Sequence, residues 1–399
     1  MKKYTKLFIG TLCFLSSAAV FAGGCRTDLK GEVLMPVTIP TLDGGANVSA
    51  GALYMQPYSS NVDYLATYTD VDGGSNHLYN WQHYRVDPNF KWGFTVGLGY
   101  VMPNSAHDLR VDWMSFHNSY TDNQELLATD NNNLIATFLP VNAVALNPSA
   151  GLDPVSKDVA WDLLKASGKM EYGFDAVDVT FGQYVNVGKR LQARMFAGVR
   201  YATLDSDMTT EYAVRDFQSS VDLYNLYNLD KWNGKINSSW NGVGPLFGGK
   251  GTYALGHGVN LVAMFDLAVL VGNVKLNAYQ KHLSGEFDKG NDCGSCFDLE
   301  DQSNYHLNWN GLDVVSPAFD GKFGVNFEYD FRGVAAVVEV GYQVSHYVDV
   351  IEQIDRGSTS VTEIGTSSPY YSYDNPKNFT TDVTDFGLNG MYLNFSFKM

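Results

Sequence analysis

Apolar and polar residues alternate one by one through long stretches of this chain, and that period limits what it can fold into. Successive side chains of a β-strand point to opposite faces, so a two-residue period means a strand with two unlike sides. In KWGFTVGLGY, Trp92, Phe94, Val96, Leu98 and Tyr100 fall on one side, with Gly93, Thr95, Gly97 and Gly99 on the other. Leu109, Val111 and Trp113 alternate with Arg110 and Asp112, and Val177, Val179 and Phe181 with Asp178, Thr180 and Gly182. The run from Leu191 to Tyr201 does the same against Gln192, Arg194 and Arg200. Phe319 to Phe331 alternate with Asp320, Lys322, Asn326, Glu328 and Asp330, and Val338 to Val344 with Glu339, Gly341, Gln343 and Ser345.

The window VNLVAMFDLAVLVGNVKL, from Val259 to Leu276, tests a helix against a strand. A membrane helix would place Asp266 near its centre, at a cost of about 2.5–3.5 kcal/mol. A strand puts Leu261, Ala263, Phe265, Leu267, Val269 and Val271 on one face and Asp266 on the other. The chain has 25 Tyr, 23 Phe and 39 Gly but 12 Pro and only 18% charged residues, which is a β composition. A soluble β-sandwich also alternates, but its strands average about five to six residues and avoid interior glycine. These strands run about ten residues or more, with aromatic apolar faces and polar faces that mix charge with glycine. A membrane barrel, with lipid outside and an enclosed polar space within, accounts for all of this.

The first residues, MKKYTKLFIGTLCFLSSAAVFA, have Lys2, Lys3 and Lys6 ahead of an apolar stretch and end in Val20-Phe21-Ala22. This is the pattern of a secretory signal peptide over residues 1–22. A membrane anchor is the weaker reading, because the apolar core is short and Gly10, Ser16 and Ser17 interrupt it. Ala22-Gly23-Gly24-Cys25 only faintly matches a lipoprotein cleavage box, since Ala22 stands where leucine is usual. Without the leader's three lysines, 24 Lys+Arg face 43 Asp+Glu, a net charge of −19. So acidic a chain argues against nucleic acid as a partner, since phosphate binding needs basic surface.

Short connections at 103–108, 187–190, 252–258 and 332–333 alternate with long polar stretches near 58–90, 118–169, 205–237, 277–317 and 349–384. The expected fold is all-β: a closed antiparallel transmembrane β-barrel with short periplasmic turns and long extracellular loops. The ten expected strands lie near 46–57, 91–102, 108–117, 170–186, 191–204, 238–251, 259–275, 318–331, 334–347 and 385–399, with eight or twelve still open. The barrel would occupy 46–399, behind a periplasmic segment at 23–45. VDYLATYT at 62–69 is a candidate extra strand, and SKDVAWDLLKASG a candidate short loop helix. The chain keeps its alternation to the end in MYLNFSFKM, as a closing strand must if it pairs with the first. Such barrels usually end in phenylalanine, whereas this one ends in Met399.

Inward-facing charge supplies the candidates for lining a pore: Arg110, Asp112, Asp178, Arg194, Arg200, Asp266, Asn326, Glu328 and Glu339. Mixed signs around a lumen would tune ion selectivity. The plain alternative is that these groups pair across the lumen and plug it. Size favours that alternative, because about eight strands enclose only enough room for side chains, and open porins use about sixteen to eighteen.

Other motifs point to no further chemistry. GPLFGGKG satisfies GxxxxGK, but Gly251 stands where a magnesium-binding Ser or Thr is needed. Asp70 and Asp72 resemble the start of a calcium loop whose closing glutamate is replaced by Trp81. His117-Asn118-Ser119 places a base and a hydroxyl together, which keeps an outer-membrane lipid hydrolase as a remote alternative, yet no oxyanion hole or orienting partner accompanies them. No HExxH occurs, no metal site is expected and no cofactor is implied. Cys293 and Cys296 in CGSC read as a local disulfide staple in a long loop, with Cys25 left over as a free thiol or an intermolecular partner. Zinc would need two more ligands, and His282 and His306 stand far off in sequence.

GALYMQP (51–57), WGFTVGLGYVMP (92–103), DLRVDWMSF (108–116) and VDVTFGQYVNVGKRLQARMFAGVRY (177–201) resemble the Legionella-type major outer membrane proteins. SWNGVGPLFG (239–248), VEVGYQVSHY (338–347) and DFGLNGMYLNFSF (385–397) extend the resemblance over most of the mature chain. It implies a bacterial outer-membrane barrel with porin-like activity and assigns no catalytic residues, in a family whose members are often linked through cysteines. The expected function is passive diffusion of ions and small solutes through a narrow polar lumen. The alternative is a structural or adhesive surface protein presenting large loops. Expected partners are outer-membrane lipid, the diffusing ions or solutes and, as a candidate, further copies of the chain.

Overall fold

The computed structural model describes residues 44–60, 62–70, 79–126, 132–136, 161–218, 226–288, 296–297, 300–331, 334–355, 362–364, 370–372 and 380–399. Ten long strands dominate it: β1 (Gly45–Ser59), β2 (Lys91–Val101), β3 (His107–Leu126), β4 (Trp161–Val187) and β5 (Leu191–Gln218), then β6 (Leu226–Gly256), β7 (Val259–Asp288), β8 (Glu300–Phe331), β9 (Val334–Asp355) and β10 (Thr380–Lys398). Each pairs antiparallel with the next, and β10 pairs with β1 from Asn47↔Lys398 to Ser59↔Phe386. Each of the ten therefore has a neighbour on both sides, and the sheet forms a ring.

The ten ring strands are the ten expected from periodicity, but most run deep into stretches expected to be loops. β5, β6, β7 and β8 are 28, 31, 30 and 32 residues long, so much of 205–237 and 277–317 is strand. The expected helix in SKDVAWDLLKASG is corrected as well: from Trp161 onward the segment belongs to β4, paired with β3 and β5. The turn placed at 252–258 shrinks to His257-Gly258, both with positive φ, 54° and 79°. The candidate strand near 62–69 exists as Asp63–Asp70. It joins Tyr79–Arg85 and Asn132–Ala136 in a separate three-stranded sheet, outside the ring. Residues 1–22, most of 23–45, Cys25 and Cys293 lie outside the described residues, while Cys296 sits in a two-residue strand opposite Asp288.

The outer wall changes character at one register row. Trp113, Val177, Tyr201, Val243, Val271 and Val315 are successive partners across β3 to β8. The next outward-facing row toward the long-loop ends is Ser115, Asp175, Thr203, Asn241, Asn273 and Asp313, polar throughout. On the short-turn side the outward residues are greasy and exposed, including Phe181, Met195, Phe247, Leu267 and Phe323. Phe327 is 48% and Phe395 45% exposed, as side chains facing hydrocarbon should be.

The interior inverts at about the same level. On the short-turn side charged residues and glycines line much of the inward face, beside apolar side chains such as Phe196, Leu246 and Val262. Toward the long-loop ends they become Met170, Tyr172 and Phe174 on β4, Leu204, Met208 and Tyr212 on β5, and Trp240 on β6, all buried. With Leu270, Val274, Tyr347, Ile351 and Phe386 they form one hydrophobic cluster inside the ring. Ring centroids 5.0 Å apart for Phe174–Tyr347 and 5.6 Å for Phe174–Phe386 show that it bridges the interior. This corrects the expectation of a polar lumen throughout, because the longer half of the ring is filled like the core of a soluble protein. Val62, Tyr64, Leu65 and Val86, from the connection between β1 and β2, join the same cluster. Tyr64 Oη donates to Asp122 Oδ2 at 2.8 Å, and Tyr212 Oη donates to the Tyr64 carbonyl. Val62, Tyr64, Leu65 and Val86 of the first long connection therefore pack into the outer end of the ring.

Candidate functional site

The membrane-level interior carries a layer of ion pairs, and the expected pore-lining residues all belong to the inward faces that build it. Alternation alone puts each there; what the ring adds is their partners. Arg200 on β5 is the centre. Its Nε and Nη2 donate to the two carboxylate oxygens of Asp178 on β4, both at 2.7 Å. Its Nη1 donates to Asp320 on β8, three strands away, and lies 3.4 Å from Tyr347 Oη on β9. Asp266 on β7 sits 3.2 Å from Arg200 Nη2 and is fully buried.

Around this centre most of the remaining charges pair off. Arg194 Nε reaches both oxygens of Asp108 at 2.9 and 2.8 Å, its Nη2 donates to Thr180 Oγ1 at 3.1 Å, and its guanidinium stacks over Phe196. Arg110 pairs with Asp112 on its own strand at 3.0 Å and also donates to Ser49 on β1. Lys250 on β6 crosses the ring to Glu339 on β9 at 2.9 Å, and Tyr392 Oη donates to the same carboxylate at 2.9 Å. Nearer the short-turn ends Asn260 donates to Asn326 at 2.7 Å, and Lys398 reaches Glu328 at 3.3 Å. Asp108, Lys250 and Lys322 belong to this layer and were not among the expected lining residues; the inward phase of their own strands was the signal for each.

Glycine makes room for these pairs. A Cβ at Gly182 would collide with the Asp108 carboxylate and the Arg194 guanidinium, and one at Gly97 with Asp112 and Ser49. One at Gly324 would meet the Tyr392 hydroxyl. These three inward glycines thus give space to side chains of this layer. What stays open is a cavity of about 120 Å³, lined by Arg110, Asp178, Arg200, Lys250, Asp266 and Asp320 among others. Among the described residues, both carboxylate oxygens of Asp266 and Oδ1 of Asp320 accept no hydrogen bond. These two residues are direct partners on β7 and β8.

His117 and Ser119 lie on the outer wall, beyond the greasy zone, opposite Gly173 and Glu171. Ser119 hydrogen-bonds to Glu171, whose carboxyl is held below its ordinary range by Lys169 first and by Ser119 less strongly, against burial, which pushes it up.

A ring of ten antiparallel strands, greasy outside and ion-paired inside at the same level, defines an outer-membrane type of all-β protein. Residues 38–399 match the family described as Legionella pneumophila major outer membrane protein precursor, and the chain belongs to that family. Its place is the bacterial outer membrane. No curated protein matches the chain. Among solved structures it is similar to the outer membrane protease OmpT from Escherichia coli, at 6% identity over 92% of this chain and 98% of that one, with a TM-score of 0.29. It is also similar to a Pseudomonas aeruginosa FadL homologue, at 6% identity over 89% and 90% with a TM-score of 0.21. The P. putida toluene transporter TodX gives 7% identity over 89% of each chain and a TM-score of 0.20. Likenesses this weak carry no conclusion about activity.

Proposed function

We propose that this protein is a transmembrane β-barrel whose interior is closed, and that its work is structural: it anchors long surface-projecting strands and their loops in the outer membrane. One observation carries the reading. The buried cluster of Phe174, Tyr347, Phe386, Trp240 and their neighbours fills the ring above the ion-pair layer. An ion leaving water for such surroundings loses several kcal/mol of hydration even after the protein relaxes. Passive diffusion is slow against that barrier. The polar outward rows above Tyr201 and Val243 support the anchoring role, since strands that continue past hydrocarbon need a wettable exterior.

The second reading is the porin-like one, passive diffusion of ions and small solutes, and the charged cavity at the membrane level favours it. Purified protein in a planar bilayer separates the two. The closed reading expects a quiet membrane with the protein folded. Stepwise conductance that shifts in Asp266→Ala or Arg194→Ala variants would replace it with the pore. No residue is assigned a catalytic role.

A further inference from the structure

The outward wall spanning β3 to β7 carries a trough. It is shallow and open to the outside, with a volume of about 610 Å³, flanked by Phe181, Met195, Phe247 and Phe265, with His107 and Gln183 at one end. Gly249 lies in its floor, and the small residues Ala193, Gly251, Ala263 and Gly321 stand beside it in the sheet. Met195, Gly249, Phe265 and Gly321 form one register row, and Ala193, Gly251, Ala263 and Phe323 the next row toward the short turns.

Inside the ring, glycine is enforced by crowding, as at Gly182 and Gly324. On this outer wall it is not. A side chain at Gly249 or Gly251 would meet nothing nearer than 3.8 and 3.9 Å, and at Gly321 nothing within 4 Å. None of the three has a positive φ. No neighbour within the chain requires glycine there, and its absent side chain leaves open space on the wall.

On an apolar wall in an outer membrane, lipid is the surrounding matter. The volume falls in the range of about 300–1,000 Å³ usual for small-molecule sites. The trough is aromatic and aliphatic along its length. Toward the short turns stand Lys189 and Arg190, both exposed, in the turn that joins β4 to β5. Two cations in the turn on the short-turn side of an apolar trough match an acyl chain ending in a phosphate. A second copy of the chain fits less well, because association within hydrocarbon favours close backbone approach over small residues, and here large side chains wall the small ones in.

We propose that this trough holds one phospholipid, its acyl chain over Gly249 and Gly251 and its phosphate near Lys189 and Arg190. The inference rests on the wall facing lipid and is independent of whether the ring conducts.

The test is phospholipid retained by the full-length protein after extensive detergent washing, read by native mass spectrometry and phosphate analysis, with folding checked by circular dichroism. Wild type should keep a bound phospholipid. Gly249→Leu, which intrudes on the trough without straining the backbone, should lose it. Val338→Leu on another part of the wall should keep it, and Lys189→Glu with Arg190→Glu should weaken retention severalfold. Equal retention in wild type and Gly249→Leu, or none in wild type, overturns the proposal. A dimer that dissociates in Gly249→Leu would give the trough to a second copy and overturn it too.

Discussion

Trp113 donates its indole N–H to Asp175 Oδ1 across 3.2 Å, and the two residues stand on opposite sides of the line where the ring's outer wall turns from greasy to polar. Trp113 is the last apolar outward residue of β3, and Asp175 opens the polar row on β4. An indole has an apolar body and one donor, so it satisfies both media at such a line. The same row in β5 to β8 ends at Tyr201, Val243, Val271 and Val315.

That line predicts a steep difference between nearby positions of β6. Phe247→Arg places a cation in the greasy zone and should cost about 2–4 kcal/mol, whereas Asn241→Arg, beyond the line, should cost about 0–1 kcal/mol. Reversible urea unfolding in lipid vesicles measures both. Equal costs would mean that no hydrocarbon boundary runs between the rows.

Arg200 and Asp266 should respond oppositely to neutralisation. Arg200→Leu leaves Asp178, Asp266 and Asp320 without their shared cation and should destabilise the ring by about 3–5 kcal/mol. Asp266→Asn removes a buried carboxylate that accepts no hydrogen bond among the described residues, so it should be neutral or mildly stabilising. Denaturant midpoints at constant slope would show the contrast.

Phe174 tests the closed interior directly. Phe174→Ala should cost about 3–5 kcal/mol through the cavity it leaves. Phe174→Ala with Phe386→Ala, which removes two rings 5.6 Å apart, should create conductance where the parent has none. A doubly truncated protein that stays folded and silent would place the barrier in the ion-pair layer.

Asp205 gives a pH dependence outside the greasy zone. Burial first, and Asp207 and Asp175 after it, raise its carboxyl above the ordinary range. The folded chain therefore holds this proton more tightly than the unfolded one. Asp205's unfavourable contribution is absent below the unfolded carboxyl range and fully present above the raised folded value, so stability falls as pH rises between them. Asp205→Asn should remove that part of the slope, and the stability difference between the two proteins should widen from acid to neutral pH in thermal unfolding.

The ten strands were legible in the sequence because hydrocarbon forces every outward side chain of a strand to be apolar, from Leu191 through Tyr201 and from Met391 through Phe397. Their extensions were missed. Above the line the alternation continues with reversed phase, Leu204, Met208 and Tyr212 inward against Asp205, Asp207 and Glu211 outward, and a polar exterior reads as loop. The local signal was a pair of adjacent apolar residues at each reversal: Ala176-Val177, Tyr201-Ala202, Leu270-Val271 and Val314-Val315. The helix expected around Trp161 failed because the pairing of β4 with β3 and β5 overrode local helix propensity.

By itself the sequence determined that these strands have two faces, which face meets lipid, and which charges point inward, because side-chain period and the cost of charge in hydrocarbon act within each strand. Only the tertiary structure decided that the inward charges meet one another. Arg200 and Asp320 are 120 residues apart, and their contact depends on how ten strands stagger as the ring closes. That stagger is a property of the whole ring, and no stretch of the chain carries it alone.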